Sequence, residues 1–214
     1  MTPSMELINW FVDLVLHLDK HLVELLHDYH FWVYLILFAI VFAETGLVVT
    51  PFLPGDSLLF AAGALAAVDT SGTLSAGVLS VVLIVAAIAG NTANYHIGRW
   101  IGPAAFAGRI RFLKVEYLRR TEVFFTRWGT WTIVLSRFAP IIRTCAPFVA
   151  GVARMPYARF QTFNVLGGVA WVLIFIWAGF FFGNIPFVKD NFGFVTIGIV
   201  VLSLVPVAWM ALKK

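Results

Sequence analysis

The stretch Glu44-Thr45-Gly46-Leu47-Val48-Val49-Thr50-Pro51-Phe52-Leu53-Pro54-Gly55-Asp56 interrupts a long apolar region, and it limits the fold more than any other feature of the chain. The run VYLILFAIVFA precedes it and SLLFAAGALAAV follows it. An acidic side chain near a bilayer centre costs about 2.5–3.5 kcal/mol on insertion scales. Pro51 and Pro54 remove backbone donors and push Thr50 and Leu53 towards extended conformations. The chain is therefore expected to enter a membrane as a helix, break near residues 50–55 and restart at Ser57. Broken backbone at that depth is tolerated only where protein or a watery cavity lines it. Asp56 reads either as the N-cap of the restarting helix or as a functional acid; Glu44 has no capping role.

A membrane setting follows from composition. Of 214 residues, 61% are hydrophobic and 12% are charged, more apolar surface than a soluble domain of this length could hide. The reading is an all-α integral membrane protein, one domain over residues 1–214. Charge is placed unevenly. Residues 1–30 carry five acids against Lys20, whereas Arg99, Arg109, Arg111, Lys114, Arg119, Arg120 and Arg127 outnumber Glu116 and Glu122. The basic loop 99–127 and the C-terminal Lys213-Lys214 are assigned to the cytoplasm by the positive-inside rule. Flanking membrane segments argue against nucleic acid as the partner of that loop. Cys145 is the single cysteine, so no internal disulfide forms.

Along the chain, residues 5–28 place Leu7, Phe11, Leu14, Leu18, Leu22 and Leu25 on one helical face and Asp13, His17, Lys20, Glu24 and Asp28 on another. This predicts an amphipathic helix, either in the membrane interface or packed on the protein itself. Residues 31–68 form the first interrupted element, 74–98 a transmembrane helix, and 103–128 a basic cytoplasmic segment near anionic headgroups. A second interrupted element covers 130–155 and contains Arg137, Pro140, Arg143 and Pro147; transmembrane helices follow over 160–183 and 192–212. Asn91, Asn94 and Tyr95 are candidates to line a cavity, where buried hydrogen bonds are worth roughly 0.6–2 kcal/mol each. His96 has no second ligand at metal spacing, so no metal and no cofactor is expected.

Each interrupted element carries charged residues around a proline pair and an Ala-Gly in its second arm, Ala62-Gly63 and Ala150-Gly151. The expected breaks fall at Pro51, Pro54 and Gly55 in the first element and at Pro140 and Pro147 in the second. One span separates the two, so they open from opposite faces. That is an inverted repeat with two re-entrant helical hairpins and about three full transmembrane helices, a transporter layout.

Arg137 and Arg143 would sit about 240° apart on a continuous helix; a break at Pro140 lets both guanidiniums turn into one cavity. Arginine keeps its charge and its planar fork matches phosphate oxygens. Glu44 and Asp56 can change charge, since desolvation favours a neutral carboxyl and a guanidinium favours an ionised one. The four residues therefore suit a proton-responsive site for an anionic headgroup, or else neutralise one another as structural ion pairs. Glu44 is the expected proton carrier, with Asp56 ionised at the helix start. No nucleophile with a base in reach is apparent, so the chain does not read as an enzyme. No glycine loop of nucleotide type supports ATP-driven transport.

These motifs resemble the DedA family of bacterial inner-membrane proteins. The matching residues are Phe42-Ala43-Glu44-Thr45-Gly46, Pro51-Phe52-Leu53-Pro54-Gly55-Asp56, Asn94-Tyr95-His96-Ile97-Gly98-Arg99, Arg137-Phe138-Ala139-Pro140-Ile141-Ile142-Arg143, Ala146-Pro147-Phe148-Val149-Ala150-Gly151, and Asn164 with Trp171. The resemblance implies a multi-pass protein of the cytoplasmic membrane that returns undecaprenyl phosphate across the bilayer, with protons and membrane lipids as its other partners. It carries Glu44, Asp56, Arg137 and Arg143 over as the functional acids and arginines, and Asn164 as a further cavity-lining residue. The family often has an acid where this chain has Asn91, so a third titratable group does not carry over. A proton-coupled exchanger of ions or small solutes, a general phospholipid scramblase and a structural scaffold are the alternatives. A homo-oligomer is left open.

Overall fold

Between Leu18 and Thr45 the sequence has neither proline nor glycine, and a single helix, α1, runs Leu18–Gly46. It crosses positions 28–31 without a break, where the sequence reading set a border between an amphipathic helix and a membrane arm. Nothing there breaks a helix, and polarity alone does not interrupt the hydrogen-bond ladder. The computed structural model describes residues 18–47, 55–69, 72–101, 115–186 and 188. Residues 5–17, Pro51, Pro54, the segment 103–114 and the expected span 192–212 lie outside those residues.

The remaining described elements are also helical. Helix α2 spans Gly55–Val68, starting two residues before the expected Ser57, and α3 spans Ala76–Ile101. Helix α4 covers Val115–Trp128 and passes through a 3₁₀ turn, Gly129–Trp131, into the short α5, Thr132–Leu135. A second 3₁₀ turn, Ser136–Phe138, leads to Ala139, which is extended at φ −119°, ψ 104°. Proline after Ala139 enforces that conformation and then opens α6, Pro140–Val152, where its missing N–H is harmless. Pro147 lies inside α6, which continues past it to Val152, so the chain turns at Pro140 but stays helical at Pro147. The turn after α6 places Arg154 at φ 53° and closes through Met155 N to Ala150 O and Arg154 N to Gly151 O, both at 3.0 Å. Helix α7 then runs Tyr157–Gly183.

Among the described residues, α3 and α7 are long and apolar enough to cross a membrane, at 26 and 27 residues. Polarity is arranged inside out. Glu44, Asn91, Asn94, Arg137, Arg143 and Asn164 are buried, whereas Val81 and Val85 of α3 and Leu166, Ile174 and Phe181 of α7 are exposed. Apolar faces turned outward over a polar interior are what a lipid solvent favours. Helix α4 differs: Arg119, Arg120, Glu122 and Arg127 are exposed, while Phe125 packs inward against Phe148 and Val149.

The helices gather into two compact units. In one, α2 packs on the C-terminal part of α7. A Cβ on Gly63 would overlap the Ile176 carbonyl, and one on Gly179 would overlap that of Phe60. The Phe60 and Phe182 rings meet at 5.4 Å. Beyond α2, Asp69 accepts from Leu74 N at 2.7 Å, and the Tyr34 hydroxyl accepts from Ser75 N at 2.9 Å. In the other unit, α6 packs on α3. Gly151 faces the Tyr95 carbonyl and Gly98 faces that of Phe148, each too close for a side chain. Both crossings thus use a reciprocal pair of glycines, each three residues after the carbonyl that its partner glycine faces. Small residues let the backbones approach closely where no hydrophobic effect drives helices together.

Candidate functional site

The site is built within the unit that holds the end of α1, most of α3, α5, α6 and the N-terminal part of α7. One face of α7 prepares it. Asn164, Gly167, Gly168 and Trp171 recur at helical spacing, and all four are buried. Arg137 leaves the 3₁₀ turn before Pro140 and lies along this face. A Cβ at Gly167 would come within 3.1 Å of its Cδ and Nε, and one at Gly168 within 3.3 Å of its Nη2. The glycine pair makes room for an arginine side chain that is 1% exposed.

Among the described residues the Arg137 guanidinium finds only neutral partners. Its Nη2 donates to Asn164 Oδ1 at 2.8 Å and, at longer range, to the Asn164 and Ala87 carbonyls at 3.3 and 3.5 Å. Asn164 is held in turn: its Nδ2 donates to Ile88 O at 3.1 Å, and to Thr92 Oγ1 and Gln161 Oε1, each at 3.3 Å. This orients the amide so that its oxygen meets the cation. Among the described residues, Arg137 Nε and Nη1 have no hydrogen-bond partner, and no carboxylate pairs with the group.

Arg143 is neutralised. Its Nη2 donates to Glu44 Oε1 in an ion pair whose side chains are 4% and 0% exposed. The same carboxylate oxygen accepts from Gly55 N at 3.2 Å, and a Cβ on Gly55 would overlap the carboxyl group. Gly55 is therefore the position at which backbone can approach Glu44 this closely. Asn94 ties the neighbouring backbone together. Its Nδ2 donates to the carbonyl of Thr45, next to Glu44, at 3.2 Å, and to that of Thr144, next to Arg143, at 2.8 Å. The Thr45 carbonyl belongs to the last turn of α1, which lacks an intrahelical donor. Both guanidiniums also lie over one ring, with Arg143 Cζ 5.4 Å and Arg137 Cζ 5.9 Å from the centroid of Trp171.

Sequence reading set Glu44, Asp56, Arg137 and Arg143 in one site; the structure brings Glu44, Arg137 and Arg143 together with Asn94 and Asn164 in one unit. Asn91 is also buried, near the close approach of Gly46 and Gly90, and its Oδ1 has no donor among the described residues. Tyr95, expected to line the cavity, instead stacks on Phe160 at 4.4 Å in an apolar cluster with Ile133 and Ala146. Its hydroxyl donates to the Met155 carbonyl. Asp56 stands in the first turn of α2, half-buried, in the other unit. The motif-by-motif reading missed four contributors: Trp171 as a cation partner, the Gly167-Gly168 pair, Thr92 and Gln161. The signal was present in the spacing of Asn164, Gly168 and Trp171 on one helical face. Among the described residues no group of three His, Cys, Asp or Glu side chains converges to hold a metal.

Comparison with known proteins covers nearly the whole chain. The family model for the VTT domain matches residues 53–181. Protein DedA of Escherichia coli strain K12 is 50% identical over 203 residues, covering 94% of this chain and 92% of that protein. An uncharacterized membrane protein of Mycobacterium tuberculosis is 45% identical, covering 78% of this chain and 73% of its own length. The inner membrane protein YghB of Escherichia coli strain K12 is 36% identical, covering 85% and 79%. No solved structure matches the chain.

Proposed function

Because the chain belongs to the DedA family of VTT-domain membrane proteins, we propose that it moves a polyprenyl-phosphate lipid across the membrane, undecaprenyl phosphate being returned across the bacterial cytoplasmic membrane in a proton-coupled cycle. One observation carries this reading: among the described residues Arg137 is buried with neutral partners only, beside an Arg143 whose charge Glu44 meets. A charge buried in that state costs about 2.5–3.5 kcal/mol in a bilayer setting, and an incoming anion would remove the cost. A phosphate monoester carries about −1.5 to −2 at neutral pH. With Glu44 ionised, the site holds one net positive charge; with Glu44 protonated, it holds two and matches the dianion. Phosphate entry and proton uptake at Glu44 are thereby coupled. Arg137 makes the first contact, the phosphate displaces Glu44 from Arg143, and loss of the proton reverses the exchange. No covalent bond is made or broken.

In this reading the two interrupted elements are re-entrant hairpins of an inverted repeat. Support comes from the matching crossings, Phe60 and Gly63 on Ile176 and Gly179, Phe148 and Gly151 on Tyr95 and Gly98. The basic face of α4 lies at the cytoplasmic surface, and Asp56 stabilises the start of α2 through the helix dipole. The test is binding by the purified protein in lipid nanodiscs to a polyprenyl phosphate and to the matching polyprenol. The phosphate should bind at least about tenfold more tightly, as expected for one or two charge-assisted hydrogen bonds. Equal affinity for the two would reject the reading and favour an exchanger of ions or small solutes.

A further inference from the structure

We infer that Trp171 is a positioning residue of the anion site, holding both guanidiniums against one aromatic ring so that two cations share a buried site whether or not Glu44 pairs with Arg143. The inference rests on the proposed anion site and adds to it a residue that no motif of charged groups would suggest. Trp171 is fully buried, and the Arg143 and Arg137 guanidinium carbons stand 5.4 and 5.9 Å from its ring centroid. Both distances lie within the roughly 6 Å over which a ring quadrupole attracts a cation, an attraction that strengthens when water is excluded. Arg143 is close enough to Arg137 for the two charges to repel. Among the described residues only neutral groups hydrogen-bond to Arg137, so the indole face supplies negative potential that no carboxylate provides there.

The arrangement matters most when Glu44 lets go. Two like charges repel, and the ring attracts both towards one point, where the phosphate can meet two guanidiniums. The ring keeps its attraction in both states because it does not titrate. Asn164 and Gly168 precede Trp171 on the same face of α7, so amide, gap and indole form one rigid cradle on one helix. A cradle on a helix holds geometry better than one on a loop.

The experiment uses the full chain in nanodiscs with a polyprenyl phosphate as probe and the polyprenol as neutral control. Trp171→Phe keeps an aromatic face, and Trp171→Leu removes it. The phosphate should bind to Trp171→Phe within about threefold of wild type and to Trp171→Leu about tenfold more weakly, with polyprenol binding unchanged in both. Fluorinated tryptophans at position 171 withdraw density from the ring with little change of shape. Each added fluorine should weaken phosphate binding and lower the thermal midpoint of the lipid-free protein stepwise. Wild-type affinity in Trp171→Leu, or no effect of fluorination on either readout, would overturn the inference. A wild type that does not discriminate phosphate from alcohol would reject the proposed function instead. The thermal midpoints of the fluorinated series would then still decide whether the ring holds the arginines.

Discussion

Arg143 donates a hydrogen bond to Glu44 across 99 residues of sequence, and both side chains of the pair are buried. Each stands beside the break of an interrupted element: Glu44 in the last turn of α1, Arg143 in the first turn of α6. Breaking a buried pair by removing one partner costs about 3–5 kcal/mol, because the other charge is stranded. Glu44→Gln and Arg143→Gln should each lower the thermal midpoint of the purified protein strongly. The double variant should recover part of that loss while remaining inactive in transport. Additive losses would mean that the two charges do not interact.

Arg137 should show the opposite balance. Among the described residues it has no carboxylate to strand, so Arg137→Met relieves a buried cation and should leave stability unchanged or raised, while phosphate binding is lost. Arg137→Lys keeps the charge but not the fork and should reduce affinity about tenfold or more. A stable Arg137→Met that binds polyprenyl phosphate normally would remove Arg137 from the site.

Proton coupling is read at Glu44. Protonation releases Arg143, so affinity for the lipid phosphate should rise as pH falls, measured across about pH 5–8. Glu44→Gln fixes the neutral state and should flatten the profile. An unaltered profile in that variant would assign the coupling elsewhere.

Asn94 should matter as a donor. Its Nδ2 serves the carbonyls of Thr45 and Thr144, and Asn94→Leu leaves both without that donor. The expected loss is about 1–3 kcal/mol, chiefly from the Thr45 carbonyl in the last turn of α1. Asn94→Gln, which keeps the amide, should recover more activity than Asn94→Leu. The reverse order would show that volume, not hydrogen bonding, governs the position.

The two helix crossings predict matched defects. Gly98→Ala and Gly179→Ala would each drive a methyl into a backbone carbonyl, of Phe148 and Phe60 respectively. Overpacking of this kind costs about 1–3 kcal/mol. Thermal unfolding should register losses of similar size for the two. Tolerance of one and not the other would undo the equivalence of the crossings.

How much of this was legible in the sequence depended on range. Pro140 declared its break locally, because a proline restricts the residue before it whatever surrounds the chain, and Ala139 is extended. Pro147 is equally visible and ends nothing; seven residues into α6 its neighbours hold the helix, which tertiary packing decides. Glu44, Arg137 and Arg143 stood out because charge is costly in an apolar segment. Which acid pairs with which arginine did not, since Glu44 and Arg143 meet only through the folding of distant segments. Trp171 was visible only as a residue matching the family pattern, with no role attached, because its two guanidiniums come from another element. The junction at 28–31 was misplaced because a change in polarity was read as a change in backbone.

The central claim is that this protein moves a lipid phosphate across a bilayer. Its most direct test is the accessibility of a polyprenyl phosphate to an impermeant phosphatase outside liposomes, with wild-type protein, with Arg137→Lys and without protein. Wild type should expose the inner-leaflet pool to hydrolysis, faster when an outward proton gradient is imposed, because lipid and proton move together, while Arg137→Lys stays near the protein-free rate. Half of the lipid remaining protected in the presence of active, correctly folded wild type would contradict the account.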